Sequence, residues 1–97
     1  MANGTGVATI DFGVFPGSNE ASIAVTGQTT ISATSKAEAW IMGDDTSTSH
    51  TANDHKYAPL FMALTCSTPT AATGFTIYAR ARDKLQGTWS VRWVWSD

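Results

Sequence analysis

Cysteine is almost missing from this chain: Cys66 stands alone among 97 residues. That excludes an internal disulfide and a zinc site built on cysteines. It also points to synthesis in a reducing cytoplasm. Within Leu60-Phe61-Met62-Ala63-Leu64-Thr65-Cys66 the residue reads as a small buried hydrophobe. No apolar run is long enough for a membrane helix, and Met1-Ala2-Asn3-Gly4 lacks the charged and apolar regions of a secretory signal. Neither is expected. Charge is scarce as well, at 14% of residues against roughly 25% in ordinary soluble domains. With 6 basic and 8 acidic residues and a net charge of −2, the chain lacks the basic surface that nucleic acid requires. Only two glutamates occur, Glu20 and Glu38, and no Gly-x-Ser-x-Gly elbow or phosphate-binding glycine loop is present. Gly4-Thr5-Gly6 is a lone pair of glycines. The expectation is a chain that is not an enzyme and carries no cofactor.

What fills the sequence instead is small: 15 threonines, 9 serines and 14 alanines. A weakly charged surface of this kind suits a chain that lives against other protein. The length allows one domain, burying about 60–65% of the unfolded chain's surface. Residues 1–6 read as a flexible N-terminal lead, and residues 7–97 as a single domain.

Hydrophobic alternation predicts strands and no helix. Val7 to Phe12 places Ala8, Ile10 and Phe12 on one face, and Phe15-Pro16-Gly17-Ser18 breaks it with a turn. Ala21 to Thr26 resumes the pattern with Ile23 and Val25. Ser35 to Met42 is too short for a good helix and reads as a strand. Pro59 to Cys66 points Leu60, Met62, Leu64 and Cys66 one way. Gly74 to Arg82 puts Phe75, Ile77, Ala79 and Ala81 on one face and Tyr78, Arg80 and Arg82 on the other. Leu85-Gln86-Gly87 then turns into Thr88 to Ser96, where Trp89, Val91, Trp93 and Trp95 share a face. The last two strands are expected to form a hairpin. The fold class is all-β: an antiparallel β-sandwich of six or seven short strands, with a small barrel as the alternative closure.

Residues 43–58 contain no large aliphatic residue and read as a long polar loop, a kind that either works or packs against a neighbour. Asp44, Asp45, Asp54, His50 and His55 fall inside 12 residues of it. The spacing matches no metal motif: the glycine and terminal glutamate of a calcium loop are absent, and two histidines five apart on a loop do not fix two imidazoles. His50 and His55 are therefore weak metal candidates, and no metal is expected. The simpler reading is a loop held by Asx and Ser/Thr turns. Asp44, Asp45, Asn53 and Asp54 are candidate interface residues.

The tryptophans Trp89, Trp93 and Trp95 fit a core, because a sheet rich in Ala and Thr needs bulky rings to fill the interlayer space. Inter-subunit packing is the second reading, and stacking on a glycan, with Trp95 as the candidate, is the third. Across the expected hairpin, Arg80, Arg82 and Arg92 would lie side by side and repel. They are candidate interface residues seeking acidic partners, on another chain if not on this one.

Gly74-Phe75-Thr76-Ile77-Tyr78-Ala79-Arg80-Ala81-Arg82 and Gly87-Thr88-Trp89-Ser90-Val91-Arg92-Trp93-Val94-Trp95-Ser96 resemble the closing hairpin of H-type-lectin-like domains. The resemblance implies a six-stranded antiparallel sandwich, trimeric assembly and, as the alternative function, a host-surface glycan-binding module. In size, composition and all-β character the whole chain also resembles small proteins encoded among the structural genes of tailed bacteriophages. The expectation is a non-enzymatic structural component of a bacteriophage particle, a capsid decoration (cement) protein or a tail or fibre protein. It would reside in the virion after synthesis in the host cytoplasm. Its expected partners are itself, as a homotrimer closed by a strand face and the 43–58 loop, and other virion proteins. Glycan is a further candidate partner; nucleic acid and membrane are not.

Overall fold

The computed structural model of the chain describes residues 3–14, 16–43 and 45–97. Six strands form two three-stranded antiparallel sheets: β1 (Asn3–Asp11), β2 (Ser18–Val25), β3 (Lys36–Trp40), β4 (Met62–Cys66), β5 (Phe75–Leu85) and β6 (Thr88–Ser96). One sheet has the order β1-β6-β3 and the other β2-β5-β4. The two sheets approach at both sides, β1 beside β2 and β3 beside β4. This is the expected all-β sandwich. No helix among the described residues is long and apolar enough to cross a membrane.

The expected hairpin of the last two strands does not form. β5 is the centre of one sheet and β6 the centre of the other, so Gln86-Gly87 carries the chain between layers. Packing gives the reason. Phe75, Ile77 and Ala79 of β5, and Trp89, Val91, Trp93 and Trp95 of β6, are all buried. A hairpin would set both rows on one face of one sheet, with nothing opposite. Placed in separate sheets, the rows meet, and the Phe75 ring lies edge-on to Trp93 at 5.7 Å.

The tryptophan row fits because its neighbours are small. Register places Gly4 opposite Trp95 and Gly6 opposite Trp93 on β1, and Ala37 and Ala39 opposite the same two rings on β3. A Cβ at Gly6 would fall 2.4 Å from Trp93 Cζ2. Residues 3–6, expected to be part of a loose lead, thus belong to β1 and make room for the core rings. Trp95 also donates from Nε1 to Gln28 Oε1 at 3.0 Å, which ties the loop after β2 to the core.

Two further departures concern residues 43–60. Ala52–Tyr57 is a short helix, α1, started by a capping box: Thr51 accepts from the Asp54 amide and Asp54 accepts from the Thr51 amide. Ala58–Leu60 is a 3-10 turn, so Leu60 leaves the strand and is 71% exposed.

Candidate functional site

The polar segment after β3 is ordered by its own sheet. β3 ends at Trp40, opposite Arg92, so residues 88–91 of β6 lack a strand on that side. Side chains of the loop and of α1 supply what a strand would have supplied. Ser49 Oγ accepts from the Thr88 amide at 3.1 Å, Ser47 Oγ donates to the Thr88 carbonyl, and His55 Nε2 accepts from the Ser90 amide at 3.1 Å. Ser90 Oγ in turn donates to the Thr46 carbonyl. These contacts cover backbone groups that would otherwise be orphaned at the sheet's edge.

His55 is fully buried. Its Nδ1 donates to the Thr51 carbonyl at 2.8 Å, and since the Ser90 amide is a donor, Nε2 must be the acceptor. With both nitrogens committed, the ring has no lone pair for a metal. His50 stacks on Trp89 with ring centroids 3.7 Å apart. Its Nε2 donates to the Gln86 carbonyl at 2.8 Å, and Nδ1 faces Asp54 Oδ2 at 3.2 Å. The Asp54 carboxyl is held below its ordinary value by the Thr51 amide and then by His50. Among the described residues no three of His, Cys, Asp or Glu come together as a metal-binding group.

Arg92, on β6, is separated from Arg80 and Arg82, which share the exposed face of β5 in the other sheet. Arg92 forms a bidentate pair with Asp45, Nε to Oδ2 at 2.9 Å and Nη2 to Oδ1 at 2.8 Å. This guanidinium depresses the Asp45 pKa, and the carboxylate raises that of Arg92. Arg80 lies on the other sheet, 3.0 Å from Glu20, with both side chains more than half exposed. Such a pair contributes little. Arg82 is exposed, and among the described residues its guanidinium has no ion-pair partner. Asn53 is exposed on α1, and Asp44 lies outside the described residues. Asp45 and Asp54, both candidate interface residues, each have a partner within the chain. Trp95 is 1% exposed, so its ring offers no face to a sugar, and the glycan-stacking expectation for it is corrected.

Two surface features remain. An open cleft of about 430 Å³ is lined by Asp11, Val14, Ser49, His50 and Gln86 among others. His50 and Ser49 meet there without a nucleophile–base hydrogen bond, because His50 Nε2 is given to Gln86 and Ser49 Oγ to Thr88. The second feature is apolar. Along the β3/β4 side a groove of about 190 Å³ is lined by Ala39, Trp40, Ile41, Pro59, Met62 and Leu64. Trp40, which lines it, is 38% exposed, and the chain neighbours of its lining, Met42 and Leu60, are 43% and 71% exposed. Sequence reasoning missed this surface. Its signal was Trp40, which alternation sets on the face opposite the inward-facing Ala37 and Ala39.

The site and fold define a small antiparallel sandwich whose polar loop is folded onto its own sheet and whose β3/β4 side is apolar. Comparison with family models, with characterised proteins and with solved structures finds no match to this chain.

Proposed function

We propose that the chain is a non-enzymatic structural subunit of a bacteriophage particle, a capsid decoration or tail component that acts by packing as a homotrimer against other virion proteins. The observation that carries this reading is the apolar β3/β4 side. A small domain whose β3/β4 groove is lined by Ala39, Trp40, Ile41, Pro59, Met62 and Leu64, with Trp40 38% exposed, presents the kind of apolar surface that marks a protein contact. Low overall charge and the compositional resemblance to small phage structural proteins support the particle as the setting. Three-fold closure follows the lectin-like resemblance, and a ring satisfies a head-to-tail contact without leaving a growing end.

Sedimentation equilibrium of the purified chain tests the reading. A trimer that Trp40→Ser converts to monomer, and that co-sediments with tailed-phage particles, is the expected result. A wild-type monomer at high concentration with no affinity for such particles overturns it.

A further inference from the structure

The four outer strands of the sandwich are not equally protected. β2 is interrupted between Ser18 and Glu20 and carries that glutamate. β3 and β4 are five residues each, and β3 carries Lys36 and Glu38. Short length, irregularity and charge are the ordinary means of blunting a sheet edge. β1 is long and regular, and its one charge, Asp11, stands at its last position. It runs nine residues with unbroken register, has no proline, and bears no charge before Asp11.

The hydrogen-bond phase identifies its free groups. The Phe12 amide donates to the Gly87 carbonyl, so the even-numbered residues of β1 bond to β6. On β6 the Thr88 and Ser90 amides point the other way, toward Ser49 and His55, which agrees with that phase. Asn3, Thr5, Val7, Thr9 and Asp11 therefore aim their amides and carbonyls outward. Among the described residues these groups have no backbone partner.

We infer that β1 is a two-fold contact that pairs antiparallel with β1 of a second copy, centred on Val7. The sequence of the strand is self-complementary about that residue. Val7 meets Val7, Thr5 meets Thr9, and Asn3 meets Asp11, so each outward-facing residue opposes another outward-facing one and all nine positions pair. The only charge of the strand then faces the amide of Asn3 rather than its own copy. On the inner face Gly4 opposes Ile10 and Gly6 opposes Ala8, which creates no clash of large residues. β-Branched and Thr–Thr cross-strand pairs are favourable, and each hydrogen-bonded pair exchanges two bonds. Val7, 55% exposed on the monomer, acquires a neighbour. The result is a continuous six-stranded sheet across two subunits. This contact is distinct from the apolar β3/β4 side and goes beyond the trimer proposed from it.

Mass and amide exchange together test the inference. The wild-type chain is expected as an assembly of even number, a hexamer where the trimer also forms and a dimer where it does not. Val7→Lys, which sets two ammonium groups opposite one another at the two-fold axis, is expected to halve that mass, and Val7→Thr to keep it. In the wild type the amides of Thr5, Val7 and Thr9 exchange slowly, and more slowly at higher protein concentration. In Val7→Lys they exchange fast while Ala8 and Ile10, bonded to β6, stay protected and report an intact fold. Fast exchange at Thr5, Val7 and Thr9 in the wild type at every concentration overturns the inference even where Val7→Lys fails to fold. A wild-type trimer with those fast amides removes the β1 contact and leaves the assembly reading standing; a dimer unaffected by Trp40→Ser does the reverse.

Discussion

His55 and Ser90 are joined by a hydrogen bond between a fully buried imidazole and a strand amide, 3.1 Å from Nε2 to N. A side chain from a one-and-a-half-turn helix here takes the place of a strand, since β3 stops at Trp40. The polar loop is in this sense the fourth member of its sheet.

Replacing His55 by Phe keeps an aromatic ring in the space but leaves the Ser90 amide without its partner, while the Thr51 carbonyl keeps the backbone amide of residue 55. An orphaned buried group costs about 1–3 kcal/mol, so His55→Phe is expected to lower the urea midpoint by the equivalent of at least one such group. An unchanged midpoint would mean that water or a backbone shift satisfies the Ser90 amide.

Gly6→Ala tests the fit of the tryptophan row. The added methyl would meet Trp93 at 2.4 Å, and overpacking of this type costs about 1–3 kcal/mol. Gly6→Ala combined with Trp93→Phe should lose less than the two single changes together, because the smaller ring frees the space. A double-mutant cycle in urea gives the coupling, and additivity would remove the proposed contact.

Acid should loosen the loop. Arg92 holds the Asp45 carboxyl below its ordinary value of 3.8 in the folded state, and Thr51 with His50 does the same for Asp54. A depressed folded pKa means stability that is present in full above about pH 4 and lost as pH falls through the folded value. The expected result is a fall in melting temperature below pH 4 that is smaller in the Asp45→Asn, Asp54→Asn double variant than in the wild type. Equal slopes in the two proteins would show that these carboxylates do not set the acid limit.

Burial, with a smaller contribution from Glu38, pushes the Cys66 thiol above its ordinary value. The thiolate is the reactive form. Cys66 is therefore expected to react with a thiol reagent at neutral pH more slowly in the folded chain than in denaturant. Equal rates in the two states would show that β4 does not shelter it.

Much of the sandwich was legible because strand periodicity survives in a short window: Phe75, Ile77 and Ala79 alternate as plainly in the sequence as in the sheet. The partnership of β5 and β6 was not, because a two-residue turn with glycine looks the same whether it joins neighbours in one sheet or crosses between two. Only the need to oppose one bulky row with another decides. Gly4 and Gly6 look like looseness in the sequence, and their role is clearance for Trp95 and Trp93, 91 and 87 positions further along the chain. Helix α1 has a local signal in Thr51 and Asp54, a capping pair, but the polar character of the segment hides it. The pairing of Asp45 with Arg92 had no local signal at all, since it depends on where β3 ends.

Because β5 and β6 are the middle strands of the two layers, every other strand waits for them. β1 and β3 hydrogen-bond to β6, and β2 and β4 to β5, so among the described residues up to Cys66 there are four strands and not one strand pair. A ribosome that has completed β4 has released a chain with edges and no centres. Folding is then deferred to the making of residues 75–96 and proceeds by long-range closure, a slow route for a chain of this size. Until that moment the segments around Ile10, Ile23 and Trp40 have no hydrogen-bonded neighbour to join.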